Sequence, residues 1–125
     1  MLKILIVDDN AIFREVLKEC LLSQIPSLIV LDAKDAEEAL QMIPASLPDL
    51  IFMDVRLPKI NGFKLTDIIK KQYPDVKVVM LTSYDMPEYR DAAFHCKVDH
   101  YVPKDSFMRL VDLIRADAHI SDGGR

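Results

Sequence analysis

The residues able to do chemistry each stand at or just past the end of a short apolar run. Asp8 and Asp9 follow Leu5-Ile-Val7, and Asp54 closes Leu50-Ile-Phe-Met53. Thr82 and Ser83 follow a run ending at Leu81, and Lys104 follows Tyr101-Val102. Crowded carboxylates repel, and each raises the proton affinity of the others. A hard divalent cation relieves that repulsion; Mg²⁺ accepts few carboxylates, keeps several waters and shares phosphate oxygens. A carboxylate fixed at a strand end, as Asp54 would be, can attack phosphorus and form an aspartyl phosphate. The transferring group then needs positive charge on its equatorial oxygens. Mg²⁺ supplies some, and Lys104 is placed to supply more. The Thr82 hydroxyl can add one hydrogen bond.

Elements must bring these positions together, and the hydrophobic pattern says which. Apolar runs at Leu2–Val7, Leu28–Leu31, Leu50–Met53, Val76–Leu81 and, weakly, Tyr101–Val102 are continuous rather than alternating. Continuous runs predict strands buried on both faces, as in a parallel sheet. Between them lie helical stripes: Ile12, Val16, Cys20; Ala36, Ala39, Leu40, Ile43; Leu65, Ile68, Ile69; Tyr89, Ala92, Ala93, Cys96; and Phe107, Leu110, Val111, Ile114. Pro26, Pro44, Pro48 and Pro74 stand where helices should stop. Asp9 or Asn10 is expected to cap the first helix, and Ser106 or Asp105 the last. Strand–helix alternation predicts an α/β domain: a five-stranded parallel sheet, doubly wound as (βα)5. Ligands bind such sheets beyond the carboxyl ends of the strands. That edge collects Asp8, Asp9, Asp54, Thr82 and Lys104, with Asp32 off-centre after the second strand. The pattern assigns residues 1–117 to one domain and 118–125 to a C-terminal tail or linker.

Composition removes several alternatives. The 125 residues carry 16 Lys+Arg against 20 Asp+Glu, a formal net charge of −4, which disfavours nucleic-acid binding by this domain. With 3 Gly, the first at Gly62, there is no Walker loop and no GxGxxG fingerprint. The 2 Cys are too few for a disulfide framework, and both are expected as small buried hydrophobes. His95, His100 and His119 are scattered and make no metal set. Lys70-Lys71 reads as a solvated helix end. No segment reaches the roughly 20 apolar residues of a membrane helix. The expected location is cytoplasmic.

With these pieces in order, the chain resembles the receiver domain of two-component response regulators, from about Lys3 to Ile114. The matching pieces are Ile6-Val-Asp8-Asp9-Asn10, the Pro48-Asp49 approach to Asp54, Asp54-x-x-Leu-Pro58-x-x-x-Gly62, Leu81-Thr82-Ser83 and Tyr101-x-x-Lys104. The resemblance implies the flavodoxin-like strand order 2-1-3-4-5. It implies Asp54 as phosphoacceptor for a sensor histidine kinase, in a Mg²⁺-dependent reaction. Asp8, Asp9, Asp54 and the backbone carbonyl of Arg56 would bind the metal; Thr82 and Lys104 would contact the phosphoryl group. Tyr101 would be a switch that swings inward when Thr82 moves. The chain would catalyse only its own phosphorylation and dephosphorylation.

Departures from the family pattern sharpen the reading. Lys97 and His100 replace glycines that the family places at the end of the fourth helix and before the switch aromatic. A left-handed residue at Lys97 would carry strain unless the path differs. After Lys104 come Asp105-Ser106-Phe107, a variant that resembles receivers joined to LuxR/NarL-type helix-turn-helix output domains. The chain is then either a receiver from a larger transcription factor or a stand-alone regulator; the Gly123-Gly124-Arg125 ending points to the former. Homodimerisation on phosphorylation is implied, through Phe13 and Leu17 of the first helix and Leu110 and Leu113 of the last. Arg56 and Tyr84, each two residues past a site residue, are expected to tune attack by water. Two other functions compete. A haloacid-dehalogenase-type phosphatase would need a carboxylate where Arg56 stands. A phosphorylation-independent interaction module would not need the intact acidic pair, Asp54 and Lys104.

Overall fold

The computed structural model describes residues 2–83 and 86–123, with side chains placed through residue 117. The order is β1 (Lys3–Val7), α1 (Ala11–Gln24), β2 (Ile29–Ala33), α2 (Ala36–Ser46), β3 (Leu50–Asp54), α3 (Gly62–Gln72), β4 (Lys77–Thr82), α4 (Pro87–His95), β5 (His100–Pro103) and α5 (Phe107–Gly123). All strand pairs are parallel, in the order β2-β1-β3-β4-β5. This is the expected doubly wound arrangement.

The continuous apolar runs have the expected cause: both faces of the sheet are covered. Leu5, Val7, Ile51, Met53, Val78 and Met80 pack on one face with Ala39, Ile43, Leu65 and Ile69 of α2 and α3. Ile4, Ile6, Phe52, Val79 and Leu81 pack on the other with Leu17 and Leu21 of α1 and Leu110, Val111 and Ile114 of α5. The register pairs Asp54 with Leu81 and Thr82 with Pro103, so the polar residues emerge together at one edge.

Several local expectations are corrected. The buried stripe of α1 is Leu17 and Leu21, while Ile12 is 77% and Val16 44% exposed. Two apolar stripes compete on this helix, and the sheet takes the one carrying the larger leucines, about 100° round the helix from the other. Cys20 is accordingly half-buried, whereas Cys96 is buried, with burial pushing its thiol upward. Leu17 and Leu110 lie fully inside and are closed to a partner; Phe13 and Leu113 are half-buried. Pro44 sits inside α2 rather than at its stop, at the cost of the one bond an amide there would make to the Leu40 carbonyl; the helix stops at Leu47 in left-handed backbone, φ 48°. Lys70 is not merely solvated: its Nζ lies 2.7 Å from both the Val76 carbonyl and Asp99 Oδ2, tying α3 to the start of β5. Helix α5 runs on to Gly123, past the point where a tail was expected.

Candidate functional site

Asp8 stands one residue past β1 and is 1% exposed. Its amide donates to the Ala33 carbonyl at 3.1 Å, and its Oδ1 accepts from the Asn10 amide at 2.8 Å. Asn10 also caps α1, its Oδ1 accepting from the Phe13 amide at 3.1 Å. Arg14, one turn into α1, reaches back to the strand end. Its Nη1 donates to the Asp8 carbonyl at 2.7 Å and its Nε to Asp32 Oδ2 at 2.8 Å. Arg14 escaped the sequence reading. Its signal was its spacing, one turn after the cap on a helix whose side chains tilt toward the N-terminus. Asp32, judged off-centre, is the anchor for Arg14.

Asp54 is the last residue of β3 and is 6% exposed. Behind it the backbone of α3 comes very close: a Cβ on Gly62 would lie 2.1 Å from the Asp54 carbonyl oxygen. The Gly62 amide donates to the Val55 carbonyl at 2.8 Å, and Asn61 Oδ1 caps α3 through the Lys64 amide at 2.9 Å. Gly62 is required for this close approach, not for an unusual φ.

Carboxylate oxygens of Asp8, Asp9 and Asp54 lie within 4.8 Å of one another, so the expected trio converges. Asp9 is exposed and the other two are buried. Burial first, then the charge of Asp8, raises Asp54 from 3.8 to about 6; Lys104 and the Arg56 backbone N–H pull the other way. Lys104 follows β5, and its amide donates to the Thr82 carbonyl at 2.9 Å. Its Nζ is 2.6 Å from Asp8 Oδ2 and 3.8 Å from Asp54 Oδ2. The first contact is electrostatic: Asp8 Oδ2 is enclosed and accepts no hydrogen bond of good geometry. Such a donor set, two buried carboxylates and one exposed, with an oxygen lacking a hydrogen bond, fits a hard divalent cation.

Thr82 is 3% exposed at the end of β4. With Asp9, Asp54, Arg56, Tyr89 and Lys104 it lines a cleft of about 260 Å³. Arg56 is exposed there, its Nε 3.4 Å from the Tyr89 hydroxyl. Tyr84 lies outside the described residues. Tyr101 stands apart from the cleft. It is half-buried against the α2–α3 face, its hydroxyl enclosed without a hydrogen-bond partner and the Arg90 guanidinium 5.4 Å from its ring centre. Lys97 has φ 66°, so the left-handed path is kept without glycine.

No helix among the described residues is long and apolar enough to cross a membrane. The family pattern described as response regulator receiver domain matches residues 4–115. The chain is 33% identical over 123 residues to the transcriptional regulatory protein DegU of Brevibacillus brevis, covering 98% of this chain and 51% of that protein. It thus spans about half the length of the curated relatives it matches over nearly its full extent. A CheY-like response regulator receiver domain protein from Methanospirillum hungatei superposes with TM-score 0.88 and 25% identity, covering 100% of this chain and 99% of that one. A LuxR-family two-component response regulator from Aurantimonas gives TM-score 0.83 and 29% identity, over 91% of this chain and 82% of that one. The chain belongs to the response regulator receiver domain family and resembles the receivers of LuxR-type regulators.

Proposed function

We propose that this chain is a phosphorylation-switched receiver that takes a phosphoryl group onto Asp54 from a sensor histidine kinase. The observation that carries the reading is the convergence of Asp8, Asp9 and Asp54 within 4.8 Å, with the Lys104 ammonium among them. In the transfer, an ionised oxygen of Asp54 bonds to phosphorus while the bond from phosphorus to the kinase's histidine nitrogen breaks, releasing imidazole. With its pKa lifted only to about 6, Asp54 is mostly ionised at pH 7 and able to attack. Lys104 neutralises charge on the phosphoryl oxygens and Thr82 donates its hydroxyl to one of them. Mg²⁺ held by Asp8, Asp9, Asp54 and the Arg56 carbonyl would supply the remaining positive charge.

The switch follows from the same charges. A new dianion on Asp54 draws Thr82 and Lys104 inward, and Tyr101 fills the space vacated. The unpartnered Tyr101 hydroxyl supports this role, since a buried hydroxyl with no bond gains by moving to one. The output in this reading is transcription, controlled through a DNA-binding domain joined to the receiver; DegU is named a transcriptional regulatory protein, and this chain spans 51% of its length.

Intact mass after incubation with Mg²⁺ and acetyl phosphate tests the central claim. One added phosphoryl group is expected in the wild type and none in Asp54→Asn. No gain in the wild type, or an equal gain in the variant, overturns it. Mg²⁺ affinity measured by calorimetry should fall in Asp9→Ala.

A further inference from the structure

The Lys104 ammonium touches one group that the proposed chemistry does not use. Its Nζ stands 4.2 Å from the centre of the Phe13 ring, over the ring face. The same nitrogen is 2.6 Å from Asp8 Oδ2 and 3.8 Å from Asp54 Oδ2. Two carboxylates thus hold it from the sheet edge and an aromatic face holds it from α1. The Lys104 side chain is only 16% exposed, so water screens these contacts weakly. Under those conditions the negative face of an aromatic ring is a real partner for an ammonium.

The ring is itself fixed from two directions. The Phe13 amide is held by Asn10 Oδ1, the cap that also donates its own amide to Asp8. The ring meets Phe107, the first residue of α5, with centroids 6.0 Å apart and planes tilted by 45°. Phe107 lies just after the Lys104-Asp105-Ser106 turn, so the two aromatics bracket the loop that carries the lysine.

We propose that Phe13 is a positioning residue for Lys104, its ring holding the ammonium at the mouth of the acidic cluster where a phosphoryl group must arrive. Without the ring, Lys104 can extend into water. Fewer molecules then have the ammonium within reach of Asp54, and transfer slows. The phosphoryl-transfer part rests on the function proposed above; the seating of Lys104 does not.

The test compares Phe13→Leu, which keeps apolar bulk but removes the ring face, with Phe13→Tyr, which restores a ring. In the unphosphorylated protein, proton NMR reads the Lys104 ε-methylene, which a ring face shifts upfield. That shift should be lost in Phe13→Leu and kept in Phe13→Tyr. The rate of phosphoryl gain from acetyl phosphate with Mg²⁺ should fall about three- to tenfold in Phe13→Leu and recover in Phe13→Tyr. An upfield shift that survives Phe13→Leu overturns the seating. A lost shift with an unchanged rate, or a slowed rate that the tyrosine does not restore, overturns the positioning role. If the wild type gains no phosphoryl group, the reading of the function fails together with the positioning role, and the methylene shift alone decides the seating.

Discussion

The acidic side of the cleft and the β4–β5 side are built to different standards of rigidity. Around Asp8 and Asp54 the backbone is braced from several directions. Asp8 is held through its amide, Oδ1 and carbonyl, the last by an arginine anchored on Asp32. The helices flanking that side, α1 and α3, each begin with an asparagine whose side chain caps the first turn. Across the cleft, α4 begins at Pro87 and its N-cap, Met86, makes no side-chain hydrogen bond; of its own residues only Ala93 is buried. It ends at Lys97 in left-handed backbone, and beside it the Tyr101 hydroxyl has no partner. A group that must meet phosphorus in one geometry gains from pre-organisation. An element that must respond is drawn from the less stable part of the fold. Under the function proposed above, the contrast fits an acidic side that holds the reacting carboxylate still and an α4 side that responds to it.

If the acidic side is built for function at the expense of stability, its central charge should cost the fold. The largest expected effect is therefore a pH-dependent gain in Asp54→Asn. The folded pKa of Asp54 is raised from 3.8 to about 6. Below the lower value both states hold the proton and the group costs nothing. Between the two values the folded state keeps a proton that the unfolded chain releases, so stability falls as pH rises. Above about 6 the cost is complete, of the order of 3 kcal/mol. In urea titrations with EDTA present, the advantage of Asp54→Asn should open across that window and level off above it. A difference that does not change with pH would mean that the buried charge is compensated.

The bracing itself can be broken with one methyl group. Alanine is ordinarily the better helix former, by about 1 kcal/mol over glycine. At Gly62, however, a Cβ would sit 2.1 Å from the Asp54 carbonyl oxygen, a backbone atom that cannot turn aside. The clash should win, and Gly62→Ala should lower stability by about 2 kcal/mol. It should also slow phosphoryl gain at Asp54 by displacing that carbonyl. Equal urea midpoints for variant and wild type would show that α3 can shift freely, removing the contrast with α4.

The sequence carried more of the rigid side than of the loose one. The strands and the convergence of Asp8, Asp9, Asp54, Thr82 and Lys104 were legible because apolar runs and strand-end polar residues leave a one-dimensional trace; the strand order came only with the family resemblance. What failed was the choice between equivalent local patterns. On α1, Ile12-Val16-Cys20 and Phe13-Leu17-Leu21 are both helical stripes, and only the shape of the sheet chooses between them. Lys70 looked like a helix-end charge, because its partner Asp99 is distant in sequence. Arg14 and Phe13 were missed as site residues for a different reason: each acts through a neighbour, Asp8 or Lys104, rather than on a ligand. At position 97 the sequence leaves two outcomes open, strain or a different path, and φ 66° at Lys97 selects the first.

That strain gives the smallest effect and the finest test of the loose side. The Val98 amide donates to the Ala93 carbonyl at 3.3 Å, and the Lys97 amide to the Phe94 carbonyl at 3.2 Å. These are the paired bonds of a Schellman helix end, with Lys97 at the position that favours glycine. A side chain there costs about 1 kcal/mol, partly offset by the entropy glycine adds to the unfolded chain. Lys97→Gly should therefore stabilise the protein by about 0.5 kcal/mol, and amide exchange in the last turn of α4 should slow. Exchange at the Asn10–Arg14 turn should not change, because that turn already has its bonds. Slowing in both regions would show that α4 and the acidic side open as one cooperative unit, and the two-sided description would fail. Slowing confined to α4 would show that its looseness is a separate property, set in part by a lysine where a glycine fits better.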